Sequence, residues 1–338
     1  MRIAVTGGTG YLGAHMVHAL LAGGHQVCLL VPPAEAGAAV VARLHATGNL
    51  TVITGDLRQS STIERLLTGV DAVLHAAGVV GTDERYAQLM WDINAHATEA
   101  ILTRAVELEL DPVVSVSSYS ALFPPPDGII SADSPTASGR SSYAKTKGYA
   151  DRVARRLQDA GAPIVVTYPS SVVGPAFHTA PGVTERGWAP IVRWRIAPRV
   201  DGGMQMIDVR DVAEVHLRIM QSGRGPRRYV CGGQLLTFDE MIDALECGLA
   251  RRIHRVPLSP YLLRVLGRVS DVVGRYVPLG DGLSYEAALL LTAATPTDDS
   301  TTLQDLGMSW RSPRAAIVES VAGDETDRGG EQLGDPVA

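Results

Sequence analysis

One segment narrows the possible folds of this chain more than any other. The apolar run at residues 2–6 (RIAVT) leads straight into Thr6-Gly7-Gly8-Thr9-Gly10-Tyr11-Leu12-Gly13, and a helical pattern begins at once. Gly8, Gly10 and Gly13 satisfy G-x-G-x-x-G; Gly7, Gly10 and Gly13 satisfy T-G-x-x-G-x-x-G. Glycines here permit a tight turn, let backbone approach a pyrophosphate, and let the next helix pack closely on the sheet. The helix N-terminus then offers free N–H groups and partial positive charge to phosphates. Set between strand and helix, the segment reads as a dinucleotide-binding loop.

The rest of the first half agrees. Residues 26–31, 51–54, 72–75, 113–116 and 164–167 are continuous apolar runs, as expected of strands covered on both faces. Helical patterns at 13–22 and 87–109 alternate with them. The expected fold is α/β, a doubly wound parallel sheet of the NAD(P)-binding Rossmann type. After about residue 175 the rhythm breaks around Pro175, Pro181, Pro190 and Pro198. We therefore expect a dinucleotide-binding domain at 1–174 and a smaller substrate-binding part at 175–322, with segments near 204–230 returning to the sheet. The stretch 323–338, with Asp324, Glu325, Asp327, Glu331 and Asp335 against Arg328, reads as an acidic disordered tail.

Composition removes several classes. Thirty Lys+Arg against 36 Asp+Glu leave a net charge of −6, without the basic footprint of a nucleic-acid binder. Cys28, Cys231 and Cys247 form no C-x-x-C pair, which suits a reduced cytoplasmic protein. No apolar stretch approaches the ~18 residues of a membrane span. His15 and His18 share a helical face, but no third metal ligand is in view.

Chemistry enters with Tyr143-Ala144-Lys145-Thr146-Lys147, which sets Tyr143 and Lys147 at i and i+4 on one helical face. An ammonium beside a phenol stabilises the phenolate and lowers its pKa, so the pair can move a proton to or from a carbinol oxygen. Ser117 and Ser118 follow the fifth strand, at the carboxyl edge where ligand contacts gather. Either hydroxyl could hydrogen-bond the same substrate oxygen.

Together these motifs resemble the extended short-chain dehydrogenase/reductase superfamily, the NAD-dependent epimerase/dehydratase family. Supporting segments are Gly55-Asp56-Leu57, His75-Ala76-Ala77-Gly78, Asn94 in WDINAHAT, Tyr168-Pro169-Ser170-Ser171-Val172-Val173-Gly174-Pro175 and Asp208-Val209-Arg210-Asp211. The resemblance implies a Ser–Tyr–Lys site: Tyr143 as acid/base, Lys147 lowering its pKa and holding the nicotinamide ribose, and Ser118 orienting the substrate oxygen. Asn94 would support Lys147 or serve the helix interior. Cofactor contacts would come from Gly7, Gly10, Tyr11, Leu12, Gly13, Asp56, Leu57, Ala76, Ala77, Gly78, Ser117, Tyr143, Lys147, Pro169 and Val172. Family members often dimerise through helices corresponding to residues 94–109 and 143–158, so a homodimer is a further expectation.

The sequence departs from the family's pattern at Val31-Pro32, where neither a carboxylate for an NAD ribose nor an arginine for an NADP phosphate stands. Glu35 could reach back but reads as a surface-loop carboxylate, and the missing carboxylate at Val31 tilts the expected NAD(P) cofactor weakly toward NADP. Ser117-Ser118-Tyr119-Ser120 carries no neighbouring acid, which argues against dehydration. Phe177, Trp188, Trp194 and Tyr261 resemble the dihydroflavonol-reductase and 3β-hydroxysteroid-dehydrogenase-like branches, whose small-molecule substrates are bulky and apolar. The function expected is thus an oxidoreductase interconverting a secondary alcohol and a ketone. Two rivals remain: a nucleotide-sugar epimerase anchoring a diphosphate on Arg193, Arg195, Arg199 or Arg210, and a non-catalytic NADP-sensing regulator. Residues 261–275 form an amphipathic helix pattern, read as a cover for the substrate pocket or a membrane-surface helix.

Overall fold

Buried apolar runs separated by helix-length segments give a chain that can only close its core by layering. The computed structural model describes residues 1–81, 83–273 and 284–330, with side chains to 322. Its strands are β1 (Arg2–Thr6), β2 (Gln26–Val31), β3 (Leu50–Thr54), β4 (Ala72–His75), β5 (Val113–Val116), β6 (Ile164–Pro169), β7 (Ser171–Val173), β8 (Ile196–Arg199), β9 (Gly203–Asp208), β10 (Arg227–Cys231), β11 (Gln234–Thr237) and β12 (His254–Pro257). Seven of them form one parallel sheet in the order β10-β6-β5-β4-β1-β2-β3. The order reverses at β1, so a crevice opens between the carboxyl ends of β1 and β4.

The helices are α1 (Tyr11–Ala22), α2 (Ala39–His45), α3 (Ser60–Leu67), α4 (Ala87–Met90), α5 (Thr98–Glu107), α6 (Ser142–Asp159), α7 (Val183–Trp194), α8 (Val209–Ile219), α9 (Phe238–Leu249), α10 (Pro260–Val273), α11 (Tyr285–Ala293), α12 (Ser300–Leu306) and α13 (Pro313–Gly330). Alternate strand residues feed two cores. Ile3, Val5, Leu29 and Val31 pack with Met16 and Leu20 of α1 and Val212 of α8. Ala4, Cys28, Leu30 and Val73 pack with Leu66 of α3, Ile101 of α5 and Ala154 of α6. Continuous apolar runs are what such two-sided burial requires.

Three expectations change. The pattern at 87–109 is not one regular helix: Trp91–Ala97, between α4 and α5, is a π-helical turn. Residues 204–230 do not all return to the main sheet. β9 pairs with β7 and β11 in a separate three-stranded sheet, and only β10 joins the edge beside β6. The acidic segment begins inside a helix, because α13 continues to Gly330; residues 331–338 lie outside the described residues. Ala316, Ile317 and Val321 anchor that helix in a third core, beside Leu245 and Leu249 of α9, and its backbone ladder carries on past them.

Among the described residues no helix is long and apolar enough to cross a membrane.

Candidate active site

The carboxyl ends of β1, β4, β5 and β6 line a cleft of about 1230 Å³. At one end sits the glycine loop. Gly7 holds a left-handed φ of +75°, and its carbonyl accepts from Gly10 N at 3.2 Å. A Cβ at Gly13 would lie 2.0 Å from Gly7 O, so helix and loop touch at backbone distance. Tyr11, at the start of α1, donates its hydroxyl to Gly174 O at 2.7 Å and to Glu185 at 2.9 Å. That pins the loop to α7.

His75 supports the next wall. Its Nδ1 lies 2.8 Å from Thr6 Oγ1 and its Nε2 2.8 Å from Thr98 Oγ1. Complete burial pushes its pKa down to about 3, so the ring is neutral. Thr6 Oγ1 also accepts from Ala77 N at 3.2 Å, which fixes the Ala76-Ala77-Gly78 turn. Every residue expected to contact a cofactor lines this one cleft, from Gly7 through Asp56, Leu57 and Ala76 to Pro169 and Val172.

At the other end the Tyr–Lys pair comes off the first turns of α6. Ser141 caps this helix by accepting from Ala144 N at 3.1 Å. Lys147 Nζ lies 5.9 Å from the Tyr143 ring centre and donates to Val116 O at 3.4 Å. Burial raises the Tyr143 pKa, and hydrogen bonding from Ser118 and Ser120 pulls it back. Ser118 itself accepts from Ser120 Oγ at 3.0 Å. Ser117 also lines the cleft, and its hydroxyl is buried without a partner among the described residues. A buried hydroxyl left unsatisfied invites a ligand atom.

Asn94 stands in the π-helical turn, behind the cleft wall rather than on it. Its amide accepts from Val79 N at 2.7 Å and donates to Val79 O at 2.9 Å. Its Nδ2 also reaches Thr146 Oγ1 at 3.3 Å, and Thr146 donates to Tyr143 O at 2.8 Å. The side chain therefore joins the Gly78 turn to the helix that bears Tyr143 and Lys147.

Burial alone lowers the Lys147 pKa from 10.5 to about 8. A folded-state pKa below the unfolded one means that the unfolded chain binds more protons between those values, so stability rises with pH there. The cost of holding the charge is complete below about pH 8 and vanishes above about 10.5. Lys147→Met should therefore raise Tm at pH 7 while abolishing turnover, and the gain should disappear by pH 10.5. Thermal melts across that range check the sign; a Tm that falls at pH 7 would refute it.

The turn after β2 and part of the far wall depart from the sequence expectation. Val31, read as the position facing the adenosine ribose, is fully buried in the core. Pro32, Pro33, Ala34 and Glu35 line the cleft instead. The two prolines stop β2 and start a 3-10 turn at Pro33–Glu35, which carries the Glu35 carboxylate back to Thr9 Oγ1. Arg58 also lines the cleft, clamped by Asp56 at 2.6 Å. That clamp has a sequence signal, since Asp83–Arg85 and Asp208–Arg210 repeat the same D-x-R chelate. Phe123 and, from α11, Glu286, Ala287 and Leu290 complete the far wall.

Other candidates lie elsewhere. Phe177 packs on His15 and His18 with ring centres 5.8 and 4.7 Å apart, Trp188 is buried in the third core, and Trp194 and Tyr261 face solvent. None of the four aromatics lines the cleft. Nor do the four arginines considered as diphosphate anchors. Arg199 pairs with Asp239, Arg210 with Asp208 and Glu319, and Arg193 and Arg195 are exposed. Residues 260–273 form α10, which packs on α11 rather than on the cleft; 274 and 275 lie outside the described residues.

A parallel sheet of this order with a glycine loop after β1 defines the Rossmann-like class of α/β folds. The NAD dependent epimerase/dehydratase family model matches residues 3–232, and the chain belongs to that family. It is 27% identical over 331 residues to sterol demethylase protein B of Methylococcus capsulatus, covering 95% of this chain and 98% of that one. It is 28% identical over 336 residues to a putative dihydroflavonol 4-reductase of Synechocystis sp., covering 94% and 92%. Its fold is similar to UDP-glucose 4-epimerase from Bifidobacterium longum, solved with NAD+ and UDP: TM-score 0.74, 18% identity, 97% and 99% coverage.

Proposed function

We propose that this protein is an NAD(P)-dependent oxidoreductase that interconverts a secondary alcohol and a ketone on a bulky apolar molecule. One observation carries the reading: the cleft that holds Ser118, Tyr143 and Lys147 is also lined by Val79, Val80, Leu89, Ile93, Phe123, Val183 and Leu290. An apolar wall with a few converging polar groups suits a hydrophobic ligand fixed by one oxygen. A nucleotide sugar would need its diphosphate held; none of the four arginines considered for that task reaches the wall, and Arg186 of α7, which does line the cleft, donates to Pro181 O at 2.9 Å.

The bound nicotinamide would supply or accept the hydride. In reduction, Tyr143 gives its proton to the carbonyl oxygen while Ser118 donates a hydrogen bond that orients it. Lys147, a cation beside the phenol, stabilises the phenolate left behind. In oxidation the same phenolate takes the proton from the alcohol. Asn94 holds the helix that carries the pair, and the unpartnered Ser117 hydroxyl is available to the cofactor.

The adenosine end supports NAD. Glu35 brings a carboxylate beside the glycine loop, where it would accept from ribose hydroxyls and repel a 2′-phosphate. Arg58, the nearby cation, is already neutralised by Asp56. The weak lean to NADP expected from Val31 loses its basis once Val31 is buried.

The test is a panel of ketones, alcohols and nucleotide sugars followed by nicotinamide absorbance with both cofactors. The expected result is one reduced nicotinamide consumed per ketone, faster with NADH than NADPH. Equilibration of a nucleotide sugar with no net absorbance change would favour the epimerase instead.

A further inference from the structure

Helix α10 leaves most of its apolar side uncovered. It packs inward through Leu263 and Gly267, with Arg264 Nε donating to Thr292 Oγ1 at 2.8 Å and the exposed Arg268 stacking on Tyr285 of α11 with its guanidinium 4.5 Å from the ring centre. Gly267 is pressed so closely to Ser284 that a Cβ would meet its carbonyl at 2.6 Å. The apolar side faces solvent, with Leu262, Leu266, Val269, Val272 and Val273 all exposed and Tyr261 77% exposed at the first turn. A soluble helix normally does the reverse.

The strands before it extend the same character. β8 and β12 pair in parallel with Ile196 opposite His254 and Pro198 opposite Val256, so these four share one side of the ribbon. Ile196 and Val256 are exposed there. On the other side Ala197 is buried, and Arg199 and Arg255 are engaged by Asp239. Trp194, 66% exposed, ends α7 just before this ribbon, with the Arg193 guanidinium 5.1 Å from its ring. Arg193, Arg195 and Arg251 have no ion pair among the described residues. Unneutralised arginines thus stand at the start of the ribbon that leads into an exposed apolar helix, on a chain whose net charge is −6.

We propose that α10 and the ribbon leading into it dock on an anionic lipid surface, lying in the headgroup plane rather than spanning the bilayer. Each part of the patch suits that solvent. An apolar helix face inserts among acyl chains, tryptophan and tyrosine favour the interface, and arginines meet anionic headgroups. The patch lies outside the catalytic cleft, so the proposal does not depend on the substrate assigned above. Yet α10 packs on α11, whose other side lines the cleft, so docking would bring the lipid phase within one helix of the apolar wall.

The experiment is co-sedimentation of the full chain with phosphatidylglycerol/phosphatidylcholine vesicles and with pure phosphatidylcholine vesicles. Wild type should partition at least tenfold better onto the anionic vesicles. Leu266→Asp with Val269→Asp should lower that partition at least tenfold with Tm unchanged, and Arg193→Gln, Arg195→Gln and Arg251→Gln together should remove the anionic preference. If the aspartate variant fails to fold, quenching of wild-type Trp194 by brominated lipid, absent with Trp194→Phe, decides the matter. Failure of wild type to bind either vesicle would overturn the proposal. So would equal binding by the variants, or a solution dimer that the aspartate pair splits into monomers.

Discussion

Tyr143→Phe should lower kcat by about 10²-fold or more while leaving cofactor affinity almost unchanged. The ring survives, and only the hydroxyl proposed to shuttle the proton is lost. Positioned acid–base groups contribute about 10²–10⁴-fold, so a small decrease would not count as agreement. The environment explains why nothing else can substitute. Ser118 and Ser120 hydrogen-bond one another and the phenol, and as aliphatic hydroxyls they ionise far less readily than a phenol. Lys147 reaches the Val116 carbonyl and faces the ring, which leaves it to act through Tyr143. Single-turnover reduction of a ketone found in the panel, with reduced-cofactor binding titrated by fluorescence, separates the two effects. Retained turnover in this variant would end the proposed mechanism, whatever the substrate.

The second large effect is expected at Gly13. An alanine Cβ there would stand 2.0 Å from Gly7 O, 2.7 Å from Gly7 C and 2.9 Å from Gly8 Cα. All three are backbone atoms, so no rotamer change relieves the clash. Either α1 moves away from the sheet or the loop opens, at a cost typical of overpacking, about 1–3 kcal/mol. Reduced-cofactor affinity should fall by about a hundredfold or more, because the N–H groups that would face the pyrophosphate belong to the displaced segment. Gly10→Ala is the informative control. Its Cβ would meet Gly7 O only at 3.4 Å, an approach the loop can absorb, so its Tm should stay near wild type. Equal Tm values for the two variants would show that the loop and α1 are not in the contact described.

Much of this site was readable from the chain because its parts are local. Tyr143 and Lys147 share a face wherever four residues separate them on a helix, and the glycine loop follows its strand without intermediaries. The six apolar runs named their own strands because a parallel sheet buried on both faces demands them.

The remaining features depend on contacts between distant segments. Glu35 reaches the cleft because a proline turn folds it back across 26 residues to Thr9. Asn94 acquires its role from Val79 and Thr146, one of them 52 residues away. Local periodicity distinguishes the two sides of α10 but is silent about which side meets α11. Short-range spacing therefore determined the glycine loop, the strands and the Tyr–Lys pair. Tertiary packing decided which carboxylate stands at the adenosine end, which arginines are already paired, and which side of α10 remains open to solvent. The physical reason is that backbone periodicity sets the direction of a side chain from its own element, whereas its partner depends on where the rest of the chain has packed.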